Sequence, residues 1–184
     1  MNERILSHLT SVKTTCHVST LGKDCRVPIK SDTAKTTGVD RLANAYGAKL
    51  NFPGKSCLII SAGSALVIDY LHHDGTFKGG LISLGFSNYK EAMQEINPML
   101  IFDSNEKQSA NYPAKNTSDA VFQGWLEMVV NTIQKLSTTH ECDEIIVTGG
   151  DAELISKHLN LKNHVLPYLA ADAMAEAFGY FTLK

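Results

Sequence analysis

The sequence predicts an α/β domain, and three observations carry that prediction. Residues 56–85 hold three apolar runs parted by small-residue steps. A Pro53-Gly54 break precedes them. A long helical pattern, a buried strand and further helices follow.

The meander comes first because the rest is arranged on it. Cys57 to Ile60 and Ala65 to Leu71 flank Ser61-Ala62-Gly63-Ser64, and a third run spans Gly80 to Leu84. Strand-length apolar runs bounded by glycine read as buried strands. Asp74-Gly75 suits a tight turn with positive φ. The stretch therefore reads as a three-stranded antiparallel meander with Ala62-Gly63 at its first turn. That turn is small and bare. It is either an ordinary core hairpin or a nest whose backbone N–H groups approach an anion.

The elements before the meander are shorter. Ile5, Leu6 and Leu9 share a helical face over residues 2–11, His17-Val18-Ser19 reads as a short strand, and Gly22 to Asp24 as a loop. Arg26 to Ile29 is an extended piece in which Pro28 argues for an edge or an end. Ser31 to Thr37 reads as loop. Gly38 to Ala48 reads as a helix with Leu42, Ala45 and Tyr46 on its apolar stripe. Asp40 in its first turn suits the helix dipole, whereas Arg41 there is disfavoured and asks for a partner or ligand. Asn51 to Lys55 is the expected lobe boundary, dividing residues 1–51 from 52–184.

After the meander, Asn88 to Ile96 reads as a short helix ended by Asn97-Pro98. Asp103 to Ala114 reads as a mobile loop. Asn116, with Asp119 three residues on, resembles a capping box and opens the longest helix. Phe122, Leu126, Val129, Ile133 and Leu136 form its core face. Capping alone can account for Thr117. Glu144 to Val147 is a buried strand that runs into Thr148-Gly149-Gly150-Asp151, either a plain strand–helix turn or a place for nucleotide contact. Ala152 to Leu159 is helical, Val165-Leu166 a strand edge, and Pro167 to Phe181 a C-terminal helix.

Composition narrows the function. Of 184 residues, 43% are hydrophobic and 20% charged, with a net charge of −2. Nothing points to bulk nucleic-acid or membrane-surface binding. No apolar run nears the roughly 18 residues a transmembrane helix needs. The start lacks the pattern of a signal peptide, so the Asn116-Thr117-Ser118 sequon carries no weight. Cys16, Cys25, Cys57 and Cys142 form no C-x-x-C pair, which argues against a zinc site or disulfide framework and for a reduced cytoplasm. His72 and His73 flank a turn and are expected in solvent.

Taken in order, Gly38-Val39-Asp40-Arg41, Ala62-Gly63-Ser64-Ala65, Gly79-Gly80, Asn116-Thr117 with Gly124, and Thr148-Gly149-Gly150 resemble the type III pantothenate kinases. The similarity covers almost the whole chain. It implies an actin-like, ribonuclease H-like kinase fold with a complete second lobe and an incomplete first. It also implies ATP-dependent phosphorylation of pantothenate, in coenzyme A biosynthesis, with ATP and Mg2+. By that resemblance Asp40 is the general base, and Gly38, Val39, Arg41 and Thr117 hold pantothenate. Gly63, Ser64 and Ala65 form the second phosphate turn, and Gly149 and Gly150, within Thr148 to Asp151, lie by the adenosine.

Two departures shape the expectation. The family's opening Asp-x-Gly-Asn-Thr segment is absent, which implies a partner chain that supplies this first phosphate turn. Ser61 stands where the family has an aspartate that helps hold potassium or ammonium, which implies a weakened or relocated monovalent-cation site. The alternatives are a non-catalytic homologue that binds or regulates, and another small-molecule kinase of the same superfamily.

Overall fold

The computed structural model describes residues 26–100, 109 and 111–178. The expected helix at 2–11, the strand at 17–19, the loop at 22–24 and most of the 103–114 loop lie outside these residues. Strands β2 (Cys57–Ala62), β3 (Ala65–Leu71) and β4 (Thr76–Leu84) form the expected antiparallel meander. Around it lie β1 (Lys30–Ser31), β5 (Glu144–Thr148) and β6 (His164–Val165), in the order β1-β4-β3-β2-β5-β6. β5 runs parallel to β2, so the carboxyl ends of both strands share one end of the sheet.

The two faces of the sheet are covered by different helices. Alternation sends Leu58, Ile60, Leu66 and Ile68 to one face, where they pack with Phe122, Trp125, Leu126, Val129 and Ile133 of α3 (Thr117–Thr139). α2 (Phe86–Ile96) and α4 (Ala152–His158) join that face. Cys57, Ile59, Leu71 and Ile146 point to the other face, against α1 (Val39–Asn51) and Leu169 of α5 (Leu169–Ala177). Both faces of β2 are thus buried, which is why its sequence is continuously apolar.

Local chemistry sets the element ends. Asn116 caps α3: its Oδ1 accepts from Asp119 N at 2.7 Å and its Nδ2 donates to Asp119 Oδ2 at 3.0 Å. Gly75 turns the β3–β4 hairpin with φ 78°, and Asp74 Oδ1 accepts from Thr76 N at 2.8 Å. Asp143 Oδ2 accepts from both the N–H and the hydroxyl of Ser56, at 2.8 and 2.9 Å, tying the entry of β5 to that of β2.

Several boundaries differ from expectation. α1 runs three residues beyond Ala48, because Lys49, Leu50 and Asn51 hold no breaker and the chain leaves the helix only at Phe52, before Pro53. α2 begins at Phe86, with Gly85 as its N-cap. Arg26–Ile29, expected as an extended piece, pairs with no strand among the described residues, and the edge strand follows it at Lys30–Ser31, where it pairs with Thr76 and Phe77. β4 starts at Thr76 and carries an irregularity opposite Tyr70/Leu71, and Gly79 there has φ 86°. α5 spans Leu169–Ala177, shorter than the expected 167–181, and the last strand sits one residue earlier than Val165-Leu166. No helix of the described residues is long and apolar enough to cross a membrane.

Candidate active site

The first half of the site is backbone. Gly63 and Ser64 turn β2 into β3, and Gly63 N donates to Ala65 O at 3.1 Å. Three close approaches shape this end of the sheet. A Cβ on Gly85 would lie 1.7 Å from Gly63 O, and Gly85 N donates to Ser64 O at 3.1 Å. Asn88 Nδ2 donates to the same Ser64 carbonyl at 3.0 Å. Gly149, with φ 95°, ends β5, and a Cβ there would lie 2.2 Å from Ala62 O. Asp151 N donates to that same Ala62 O at 3.1 Å. Gly63-Ser64-Ala65 and Gly149-Gly150 are therefore brought together. Gly63 and Gly150 themselves face open space, so a ligand can reach their backbone.

The second half is built from side chains. Gly38 caps α1 at φ −56°, and a Cβ there would lie 2.5 Å from Asp40 Oδ1. The Asp40 carboxylate thus folds back over the helix start. It is exposed and makes no hydrogen bond or ion pair among the described residues. Arg41 points the other way, onto Asp69 of β3. Its Nε donates to Asp69 Oδ2 at 3.0 Å, and its Nη2 donates to Oδ1. The guanidinium carbon sits 5.6 Å from the centroid of the Phe77 ring. Burial pushes the Asp69 carboxyl up against the pull of Arg41's hydrogen bonds, and Asp69 in turn holds the guanidinium pKa up.

The two halves face each other along the sheet. Arg41 in the first turn of α1 meets Asp69, while Lys49 in the last turn lies where a Cβ on Gly75 would touch it, at 3.0 Å. α1 therefore runs in the same sense as β3, and its N-terminus points toward the glycine end. Asp69 and Ala65 are four residues apart, roughly 13 Å along an extended strand.

The signature of the type III pantothenate kinases matches residues 2–139. The chain belongs to the type III pantothenate kinase family. It is 31% identical over 154 residues to a type III pantothenate kinase of Flavobacterium johnsoniae, covering 82% of this chain and 63% of that protein. It is 30% identical over 177 residues to one from Cytophaga hutchinsonii, covering 93% and 75%. One from Persephonella marina is 24% identical over 166 residues, covering 87% and 65%. The chain thus spans under two thirds of the Flavobacterium and Persephonella proteins. A solved structure of a Baf family protein from Campylobacter jejuni superposes with a TM-score of 0.66 at 22% identity, over 83% of this chain and 68% of that one, which shows the shared mixed α/β fold.

Within this member of the pantothenate kinase family, Gly38, Val39, Asp40 and Arg41 cluster at one helix start, and Gly63, Ser64, Ala65, Gly149 and Gly150 at one end of the sheet. Thr117 stands apart. It is exposed at the start of α3, which packs on the face of the sheet opposite α1. No hydrogen bond among the described residues joins it to Asp40 or Arg41. Ser61 lies on β2 between Val67 and Thr148, whose only polar atoms are neutral oxygens and N–H groups. Asp69, two residues along the same face from Val67, is taken up by Arg41. Those residues do not fit a cation held by a carboxylate. Among the described residues no group of three or more His, Cys, Asp or Glu could hold a metal ion.

Sequence reasoning missed Asp69. A signal was present: a lone carboxylate inside Leu66-Val-Ile-Asp-Tyr-Leu71 is a charge in a buried strand, and such a charge requires a partner.

Proposed function

We propose that this chain carries the pantothenate side and part of the ATP side of a type III pantothenate kinase, which forms 4′-phosphopantothenate in coenzyme A biosynthesis. The observation that carries the reading is an Asp40 carboxylate with no hydrogen bond or ion pair among the described residues, beside an anchored Arg41, on a helix start that points toward two glycine turns. In this reading residues 52–184 are the second actin-like lobe, and residues 1–51, with α1, belong to the first. The Asp-x-Gly-Asn-Thr segment comes from elsewhere, in the same polypeptide or in another chain.

Each group has a task in the reaction. Asp40 accepts the hydrogen bond of the pantothenate hydroxyl, orients its oxygen on the terminal phosphorus of ATP, and takes its proton as the O–P bond forms. The bond to the ADP oxygen breaks, and ADP leaves with the electron pair. The Gly63-Ser64-Ala65 turn meets the phosphates with its exposed backbone, where preorganised donors act without reorganisation, although the N–H of Gly63 itself is given to Ala65 O. Gly149 lets β5 close on Ala62, and Gly150 beside it faces open space and leaves room for the nucleoside. Mg2+ accompanying ATP would supply charge neutralisation at the phosphates. Arg41 and the helix start of Gly38 and Val39 hold pantothenate. Thr117, on the other face of the sheet, is the weakest member of the assigned set. The free thiols Cys57, pushed up to about 12 by burial, and Cys142, to about 11, suit a reduced cytoplasm.

The test is transfer of the terminal phosphoryl group to pantothenate. It is measured for the chain alone and with a candidate chain bearing Asp-x-Gly-Asn-Thr. Turnover in either preparation supports the reading. No turnover in any pairing, with pantothenate still bound, supports a homologue that binds without catalysis.

A further inference from the structure

We propose that Asp69 is a positioning residue: its buried carboxylate fixes the Arg41 guanidinium so that the three N–H groups it leaves free face an anionic oxygen of the ligand beside Asp40. The inference rests on the kinase reading above.

The pair is built for orientation. The Asp69 side chain is 4% exposed, that of Arg41 16%. A two-point fork on a carboxylate sets the plane of a guanidinium as well as its place. Phe77, fully buried, bounds one side of that plane. Gly80 of β4 makes room, since a Cβ there would lie 2.8 Å from Asp69 Oδ1 and 1.9 Å from Ile68 O. Asp69 has no other hydrogen-bond partner among the described residues. Two of Arg41's five N–H groups are used, and the others have no protein partner among the described residues.

Stability alone does not call for this pair. A buried ion pair is on average no more stabilising than well-packed apolar side chains of the same volume. Val67 and Leu71, the neighbours of Asp69 on the same face of β3, are such side chains. The pair also solves a local conflict. Asp40 and Arg41 are adjacent, yet Arg41 is drawn to Asp69, and Asp40 has no ion-pair partner among the described residues. Without Asp69 the nearest carboxylate for Arg41 in its own helix turn is the one the reaction needs free.

The ligand anion is either the carboxylate of pantothenate or the transferred phosphoryl group, and the test separates them. Binding is measured by calorimetry on the full kinase without nucleotide, with pantothenate and with its uncharged alcohol analogue. Asp69→Asn should weaken pantothenate by about tenfold or more and leave the alcohol nearly unchanged, the size expected for losing an aligned charge-assisted contact. That result assigns the carboxylate. Unchanged binding of both ligands, with KM for ATP raised or kcat lowered about tenfold, assigns the phosphoryl group. A folded Asp69→Asn protein unchanged in binding and kinetics overturns the proposal. Should Asp69→Asn fail to fold, Asp69→Glu keeps the charge and displaces the fork by one methylene. The same losses are expected, and their absence overturns the proposal. Wild-type kinase that binds no pantothenate overturns the functional reading and Asp69's role with it. Wild-type binding with no variant effect on either binding or kinetics overturns only the role of Asp69.

Discussion

The two ends of the candidate site are made of different materials. The glycine end is backbone held against backbone, with Gly85 and Gly149 pressed on the carbonyls of Gly63 and Ala62. The helix end is three charged side chains, Asp40, Arg41 and Asp69, two of them locked together. The first is a steric construction that tolerates loss of charge but no Cβ at Gly85 or Gly149. The second is an electrostatic one, in which side-chain size matters less than which carboxylate holds the arginine. Perturbing each end should therefore fail in its own way.

The largest effect belongs to the helix end. Asp40→Asn keeps size and removes basicity, so kcat in the active kinase should fall by about a hundredfold or more. Pantothenate affinity should largely remain, because Arg41 keeps its anchor on Asp69. Steady-state kinetics with calorimetric binding reads both quantities. A variant with unchanged kcat would place the base elsewhere and erase the distinction between the two ends.

The glycine end should break through stability first. Gly149→Ala adds a Cβ at φ 95° and within 2.2 Å of a backbone carbonyl, a strain that costs roughly 1–3 kcal/mol before any clash is counted. Gly63→Ala points its Cβ into open space and should change stability by less than about 0.5 kcal/mol. Yet, if the proposed phosphate turn is right, Gly63→Ala should still raise KM for ATP, since the added methyl would stand in the phosphates' path. Urea unfolding and ATP kinetics on the two variants give a crossed pattern. Equal stability losses would mean that the two glycines share one structural role.

Ser61 sharpens the same contrast. A serine hydroxyl is a neutral and weaker cation ligand than a carboxylate. Ser61→Ala should therefore leave any potassium or ammonium stimulation of activity within about twofold, against a large organic cation as control. Stimulation abolished by Ser61→Ala alone would put a cation at the glycine end.

Most of the scaffold was legible because it is local. The α3 face repeats every three or four residues, and four of its five members are buried, with Leu136 partly so. Asn116 signalled the cap that forms. The meander and its Asp74-Gly75 turn followed from apolar runs and turn chemistry. What was not legible is what depends on distant parts of the chain. β1 is two residues long and exists because β4 pairs with it. Gly85 and Gly149 matter because of carbonyls more than 20 residues away in the chain. Asp69 finds Arg41 across 28 residues. Thr117 could be placed at a helix start, but which face of the sheet that helix covers follows only from the register of β2 and β3.

The smallest effect tests whether any buried or partnered carboxylate behaves like Asp69. Asp143 sits at the far end of β2 and β5 from the glycine turns and is held by Ser56, with Lys55 3.8 Å away. The backbone N–H and hydroxyl of Ser56 pull its pKa below the usual carboxylate range. A group whose folded pKa is lowered contributes stability above its unfolded pKa and loses it as pH falls through the folded one. Asp143→Asn should therefore leave pantothenate and ATP binding unchanged. It should lower the unfolding midpoint slightly at neutral pH, by less than Gly149→Ala does, and the gap from wild type should close below the ordinary carboxylate range. Asp69 differs in sign, since burial raises its pKa, so its variant should show no such closing gap in acid. Thermal unfolding across that pH range separates the two. A gap that stays constant into acid would show that Ser56 holds Asp143 through its position and not its charge.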